Sequence, residues 1–243
     1  IGTLTITNSG GTTFSGAVGG SADRIASVVL TATTGTIEFS DNLYATAITN
    51  SGGSFALKLY GTTTNITNAT TFGTTGALYL GNGSDTLTFA GGLTATASSS
   101  RTVNGTINST NAAINLGSIT LGGASTLNTN ATTNVADLTI GAVTGATYNL
   151  SLATGGVAGA EISGSTVSGV GTLTITNSGG TTFSGTVGAT TVTLTNTTGT
   201  IAFDGALTAT TLNTAAQAYN LALNAGGTIT NTVTFSNTGT LTL

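Results

Sequence analysis

The fifteen residues GTLTITNSGGTTFSG stand at positions 2–16 and return unchanged at positions 171–185. A catalytic constellation is needed once, whereas a chain that spells so long a stretch twice is making one supersecondary unit again and stacking it. Repetition this literal narrows the fold to the stacked architectures, in which each unit buries its apolar side against its neighbour.

The local pattern says what is stacked. Apolar residues alternate with Thr, Ser, Asn or Lys in short bursts, such as LTI at 4–6, FALKL at 55–59, LYL at 78–80, NLSL at 149–152 and NLAL at 220–223. Period two with intervening Gly-Gly and Asn-Gly turns is the pattern of half-buried strands, and no window carries the i, i+3, i+4, i+7 spacing of an amphipathic helix. Every segment reads as strand or turn. Leu30, Leu57, Leu80, Leu152, Ile175 and Leu223, each in an alternating burst, are expected to face inward.

Longer echoes set the organisation. TTGTI at 33–37 returns at 197–201, with Phe39, Leu43 and Leu59 matched by Phe203, Leu207 and Leu223, and ITNTVTFSNTGTLTL from Ile229 tracks ITNATTFGTTGALYL from Ile66. Residues 1–170 therefore read as a first module and 171–243 as a partial second copy within one continuous solenoid. FAGGLTATA from Phe89 repeats the frame of FSDNLYATA from Phe39, and YNLSLATGG from Tyr148 reappears as YNLALNAGG from Tyr219. Dividing these offsets by small whole numbers predicts a rung of roughly 24 residues, and about ten rungs in the chain. A rung of three short strands is the signature of a parallel β-helix.

Composition agrees. Only 4% of the residues are charged, against roughly a quarter in average globular chains, and Pro, Cys, Met, Trp and His are absent. In a parallel stack a charged residue would meet its own copy about 4.8 Å away, at a cost of roughly 1 kcal/mol in water, whereas Thr and Asn stack without that repulsion. A net charge of −4, with Arg24, Lys58 and Arg101 the only cations, offers no basic patch for nucleic acid or an anionic membrane. No apolar run approaches the ~18 residues of a membrane-spanning helix, and no leader peptide is read before Ile1. Without His or Cys, neither a Ser-His triad nor a thiol nucleophile nor an imidazole or thiolate metal site can be built.

At the level of families, VGTLTITNSGGTTFSG at 170–185 resembles the passenger repeats of bacterial autotransporters, and LALNAGGTITNTVTFSNTGTLTL at 221–243 is similar to filamentous-haemagglutinin-type secreted adhesins. The resemblance covers most of the chain and rests on a rhythm of Gly, Thr, Asn and Leu. It implies a right-handed parallel β-helix on the bacterial surface, built as a stalk or fibre, without catalytic residue, metal or cofactor. Self-association is the partner it implies, with surface glycans as a further class.

Four local motifs compete with plain turns and strand positions. Gly83, Asp85 and Leu87 match the core of a calcium-binding nonapeptide repeat, but once only. Glu38 and Asp41 are close in sequence, as a polysaccharide-cleaving pair requires, yet their counterparts in the second copy are Ala202 and Gly205. Asn-x-Ser/Thr sites, such as Asn65 and Asn196, are frequent in a chain so rich in both residues. Thr-x-Thr rows, including Thr172, Thr174 and Thr176, resemble the flat arrays with which some β-solenoids bind ice. Tyr44, Lys58 and unequal rung lengths are expected to break such a surface. Aromatic residues, at 5%, promise no sugar-stacking platform.

The ends carry a last expectation. Leu241, Thr242 and Leu243 correspond to Leu78, Tyr79 and Leu80, which run on into GNGSDTLTFAGG, and Ile1 corresponds to Val170, which ordinary solenoid precedes. The array is expected to continue in both directions, or separate chains to abut end to end.

Overall fold

A computed structural model describes residues 2–31, 33–133 and 135–243; Ile1 lies outside the described residues. Among the described residues the chain forms 24 strands and no helix, joined in parallel into one hydrogen-bonded sheet. It winds into a β-solenoid of about 12 turns.

Each turn lays down three faces. Face A carries Thr12–Phe14, Thr36–Phe39, Ala56–Leu59 and Ala77–Leu80, each paired with the one before. Face B comes next along the chain, with Thr63–Ile66, Thr86–Phe89 and residues 105–108. Face C completes the turn, with Thr70–Thr71 and Leu93–Thr94 below and Glu161–Gly164, Gly180–Phe183 and Thr200–Phe203 above. The long strand Ile114–Ala131 bends around all three, with 114–115 on C, 117–121 on A and 125–128 on B.

The rungs are shorter and more numerous than expected. Thr36 pairs with Ala56 and Val187 with Leu207, 20 residues on in each case, while Thr102 to Thr120 is only 18 and Ser125 to Leu150 is 25. The overestimate has a structural cause. Phe39 lies on face A and its echo Phe89 on face B; Leu150 lies on B and its echo Leu221 on C. These offsets are not whole numbers of turns, so dividing them by whole numbers inflates the rung.

The opening phrase behaves the same way. In the first copy Thr3–Thr7 stacks through Ile25–Thr31 onto the later part of Leu43–Asn50, on face C, and Thr12–Phe14 lies on face A. In the second copy residues 172–175 lie on face B and Gly180–Phe183 on face C. Identical residues thus occupy different sides of the solenoid, while the corner between the strands is reproduced bond for bond. Asn8 and Asn177 both take left-handed backbone, at φ 52° and 45°, a conformation that Asn tolerates better than most residues. Ser9 Oγ donates to the Gly11 carbonyl and accepts from the Gly11 amide, and Ser178 does the same with Gly180. Phe14 stacks on Phe39 at 5.0 Å, and Phe183 on Phe203 at 5.7 Å.

The core is a column of apolar side chains running up the inside of the coil. Leu30, Leu57, Leu80, Leu152 and Ile175 are fully buried, as the alternation predicts; Leu223 packs against the core but is only partly buried, because it lies in the last turns. Burying each such side chain contributes about 1.5–3 kcal/mol. Polar groups at the corners are satisfied across turns: Thr129 Oγ1 donates to the Ala136 carbonyl at 2.6 Å and lies 3.0 Å from the Thr154 carbonyl. Gly105 turns at φ +97°, where a Cβ would come within 2.5 Å of the Asp85 carbonyl, so no other residue fits.

On face B the inward column runs Leu43, Thr64, Leu87, Ile107 and Leu127. Leu127→Ala should cost about 2–5 kcal/mol, whereas Thr126→Ser on the outer side should change stability by less than about 0.5 kcal/mol. Equal shifts in thermal melting would reverse the assignment of the two sides. Thr64 is fully buried in that column and its hydroxyl has no hydrogen-bond partner. Replacing it with Val removes an unsatisfied buried group at nearly constant volume, so Thr64→Val should raise the melting temperature.

Candidate functional surfaces

Outward positions differ sharply between the faces. On face A the column reads Thr13, Glu38, Lys58, Tyr79, Thr102, so a carboxylate sits directly under an ammonium and an ammonium under an aromatic ring. Lys58 Nζ lies 3.1 Å from Glu38 Oε2, 5.4 Å from the Tyr60 ring centre and 5.9 Å from that of Tyr79. The two rings meet edge to face at 6.3 Å. Hydrogen bonds from Ser40 and then Lys58 hold the Glu38 carboxyl below its ordinary value of 4.5, and the bond to Glu38 pushes Lys58 above 10.5. Burial raises the Tyr60 hydroxyl. No local pattern in the sequence signals this cluster, because its members are brought together only by stacking across turns of 20 and 21 residues.

Face B presents a different surface. One outward column runs through Thr63, Thr86, Thr106 and Thr126, then Ser151, Thr174, Thr193 and Asn213. A second column flanks it, formed by Asn65, Thr88, Asn108 and Asn128 in the lower turns and, on the opposite side, by Thr172, Thr191 and Thr211 in the upper ones. Lys58, expected to interrupt such an array, lies on face A; Tyr44 does border it, pairing with Asn65 at the lower edge beneath Arg24, whose guanidinium is 5.9 Å from the ring. Rungs do vary in length, but the register on face B holds from turn to turn, and the extra residues are taken up at the corners and on the other faces.

The remaining motifs resolve into turns. Asp85 is 5% exposed and its Oδ2 accepts from the Asn82 amide at 2.8 Å, which closes the corner before Thr86–Phe89. No group of three or more carboxylates converges on it or anywhere else among the described residues. Asp41 accepts from the Asn42 amide at 2.7 Å while Glu38 is engaged by Ser40 and Lys58, so the two carboxylates serve different partners. Asn side chains bond across turns to other residue types: Asn231 donates to Thr211 at 3.0 Å and Asn224 to Asp204 at 2.7 Å, each one turn away.

The sequence matches no protein-family model, and no match was found to a curated protein or to a solved structure.

The Glu38–Lys58 pair yields a signed pH dependence. Glu38 has a lower pKa folded than unfolded, so its stabilisation is complete above 4.5 and is lost as the pH falls through the lowered folded value. Glu38→Gln should therefore reduce stability at neutral pH by no more than about 1 kcal/mol, with the difference closing on acidification. Paired thermal melts from neutral pH down to about pH 2 check both the size and the sign.

Proposed function

We propose that the chain is a structural and adhesive element of the bacterial cell exterior, a segment of a stalk or fibre. The observation that carries this reading is the unbroken ladder: one parallel sheet and one apolar core run through about 12 turns, giving a rod of roughly 55–60 Å. A rod of stacked turns supports itself without disulfides and lengthens by adding turns. Its last turn offers the kind of surface a further turn would cover. Leu223, Val233 and Phe235 are only partly buried there, and Leu241 and Leu243 are 37% and 79% exposed. In this reading a second copy stacks on that layer and extends the ladder.

The adhesive half of the reading rests on the Lys58–Tyr60–Tyr79 cluster, which combines ring surface, a cation and a carboxylate at one place on face A, the mixture of apolar and polar groups that sugars engage. Sedimentation and electron microscopy of the purified chain test the structural half. Rods that associate end to end with rising concentration, and that do so less in a Leu241→Lys, Leu243→Lys variant, are the expected result; a compact particle, or a rod whose association ignores those residues, overturns it.

A further inference from the structure

We infer that face B is an ice-binding surface. Outward side chains on neighbouring turns of a parallel sheet are about 4.8 Å apart, and alternate outward positions along one strand are about 6.6 Å apart. The inter-turn repeat lies close to an oxygen spacing in the prism faces of hexagonal ice, so a continuous outward column of hydroxyls presents water with a matched row. Thr63, Thr86, Thr106 and Thr126, then Ser151, Thr174 and Thr193 make that row, and Thr88, Thr172 and Thr191 flank it within single strands, on one side below and on the other above.

Three further features of the face favour ordered water. β-Branching restricts each Thr at χ1, which limits the ways in which methyl and hydroxyl can point. Thr86 is exposed and Thr106, Thr126 and Thr174 are partly exposed, while Thr193 and Thr211 accept from Asn213 and Asn231 one turn on. The outward strand positions carry no charge from Thr63 up to Asn213; Glu38 and Lys58 stand on A and Glu161 on C, and the Arg24 guanidinium reaches only the lower edge, at the Asn65 carbonyl.

The array is also not a by-product of sequence copying. Thr172 and Thr174 belong to the repeated phrase, yet the first copy of that phrase lies on face C, and the lower half of face B is built from unlike segments, TTN at 63–65, TIN at 106–108 and TLN at 126–128. Different stretches supply the same outward pair to the same face. Face C, by contrast, breaks its Thr column with Ala202 and Ala222.

The test uses the whole chain, fluorescently labelled, with a growing ice hemisphere as the probe and crystal shape in a nanolitre osmometer as a second readout. Incorporation into the ice, faceting of the crystals, and loss of both in Thr126→Tyr, Thr174→Tyr are expected. Thr182→Tyr on face C is the control, and all variants should melt within a few degrees of the parent, since each change is outward. Exclusion of the parent from ice overturns the inference, and so does equal incorporation of the face B and face C variants. The result is independent of fibre formation: a monomer that enters ice supports this inference while counting against the fibre, and a fibre excluded from ice does the reverse.

Discussion

Everything in this molecule follows from stacking a strand on its own kind at about 4.8 Å. The parallel ladder satisfies the backbone along the axis, so each turn needs from its side chains only an apolar inner layer and an outer layer that tolerates its neighbours. Charge is what such a stack tolerates least, and its one ion pair among the described residues joins successive turns, although Asp137 also stands one turn below Glu161, whose amide it accepts from. Glu38 lies under Lys58 rather than under another carboxylate, and Asn224 reaches Asp204 one turn away. The low charge content is thus a property of the lattice and not of any site.

The corners carry the remaining specificity. Asn at left-handed φ, followed by Ser bonding to a Gly two residues on, turns the chain in both copies of the repeated phrase. Because the corner is encoded locally and the faces ask for nearly the same inner pair, the same fifteen residues fit on C and A in one place and on B and C in another. The solenoid is therefore tolerant of phase. Turns of 18, 20 and 25 residues coexist because an extra residue at a corner does not disturb the ladder beyond it.

This tolerance also marks what could be read from the sequence. Strand, turn, inner residues and solenoid were all legible, because period two and the Asn-Ser-Gly corner are local signals: Leu57, Leu80 and Leu152 are buried as the alternation requires. Rung length was not, since Phe39 and Phe89 share a frame but not a face. The surfaces were not legible either. Lys58, Tyr60 and Tyr79 meet only once the register is known, and the same register moves Lys58 off the face whose Thr array it was expected to break. Contacts across turns depend on a length that one sequence repeat, out of phase with the coil, does not reveal.

Phase has a consequence for display. If the sequence repeat were a whole number of turns, every feature written into it would reappear on one side of the rod and build a stripe. Here the second copy is shifted by one face, so the stacked Phe pair that lies on A in the first copy lies on C in the second. A feature tied to the repeat is thereby distributed around the axis, and a surface can stay on one side only if unlike segments converge on it. Face A's charged cluster occurs in one copy alone, since Ala202 and Ala222 stand where Glu38 and Lys58 would recur. One hydroxyl column of face B does persist across the boundary between the copies, from Thr126 through Ser151 to Thr174, and it does so against the phase of the repeat. Persistence of that column against phase separates face B from the rest of an otherwise interchangeable surface.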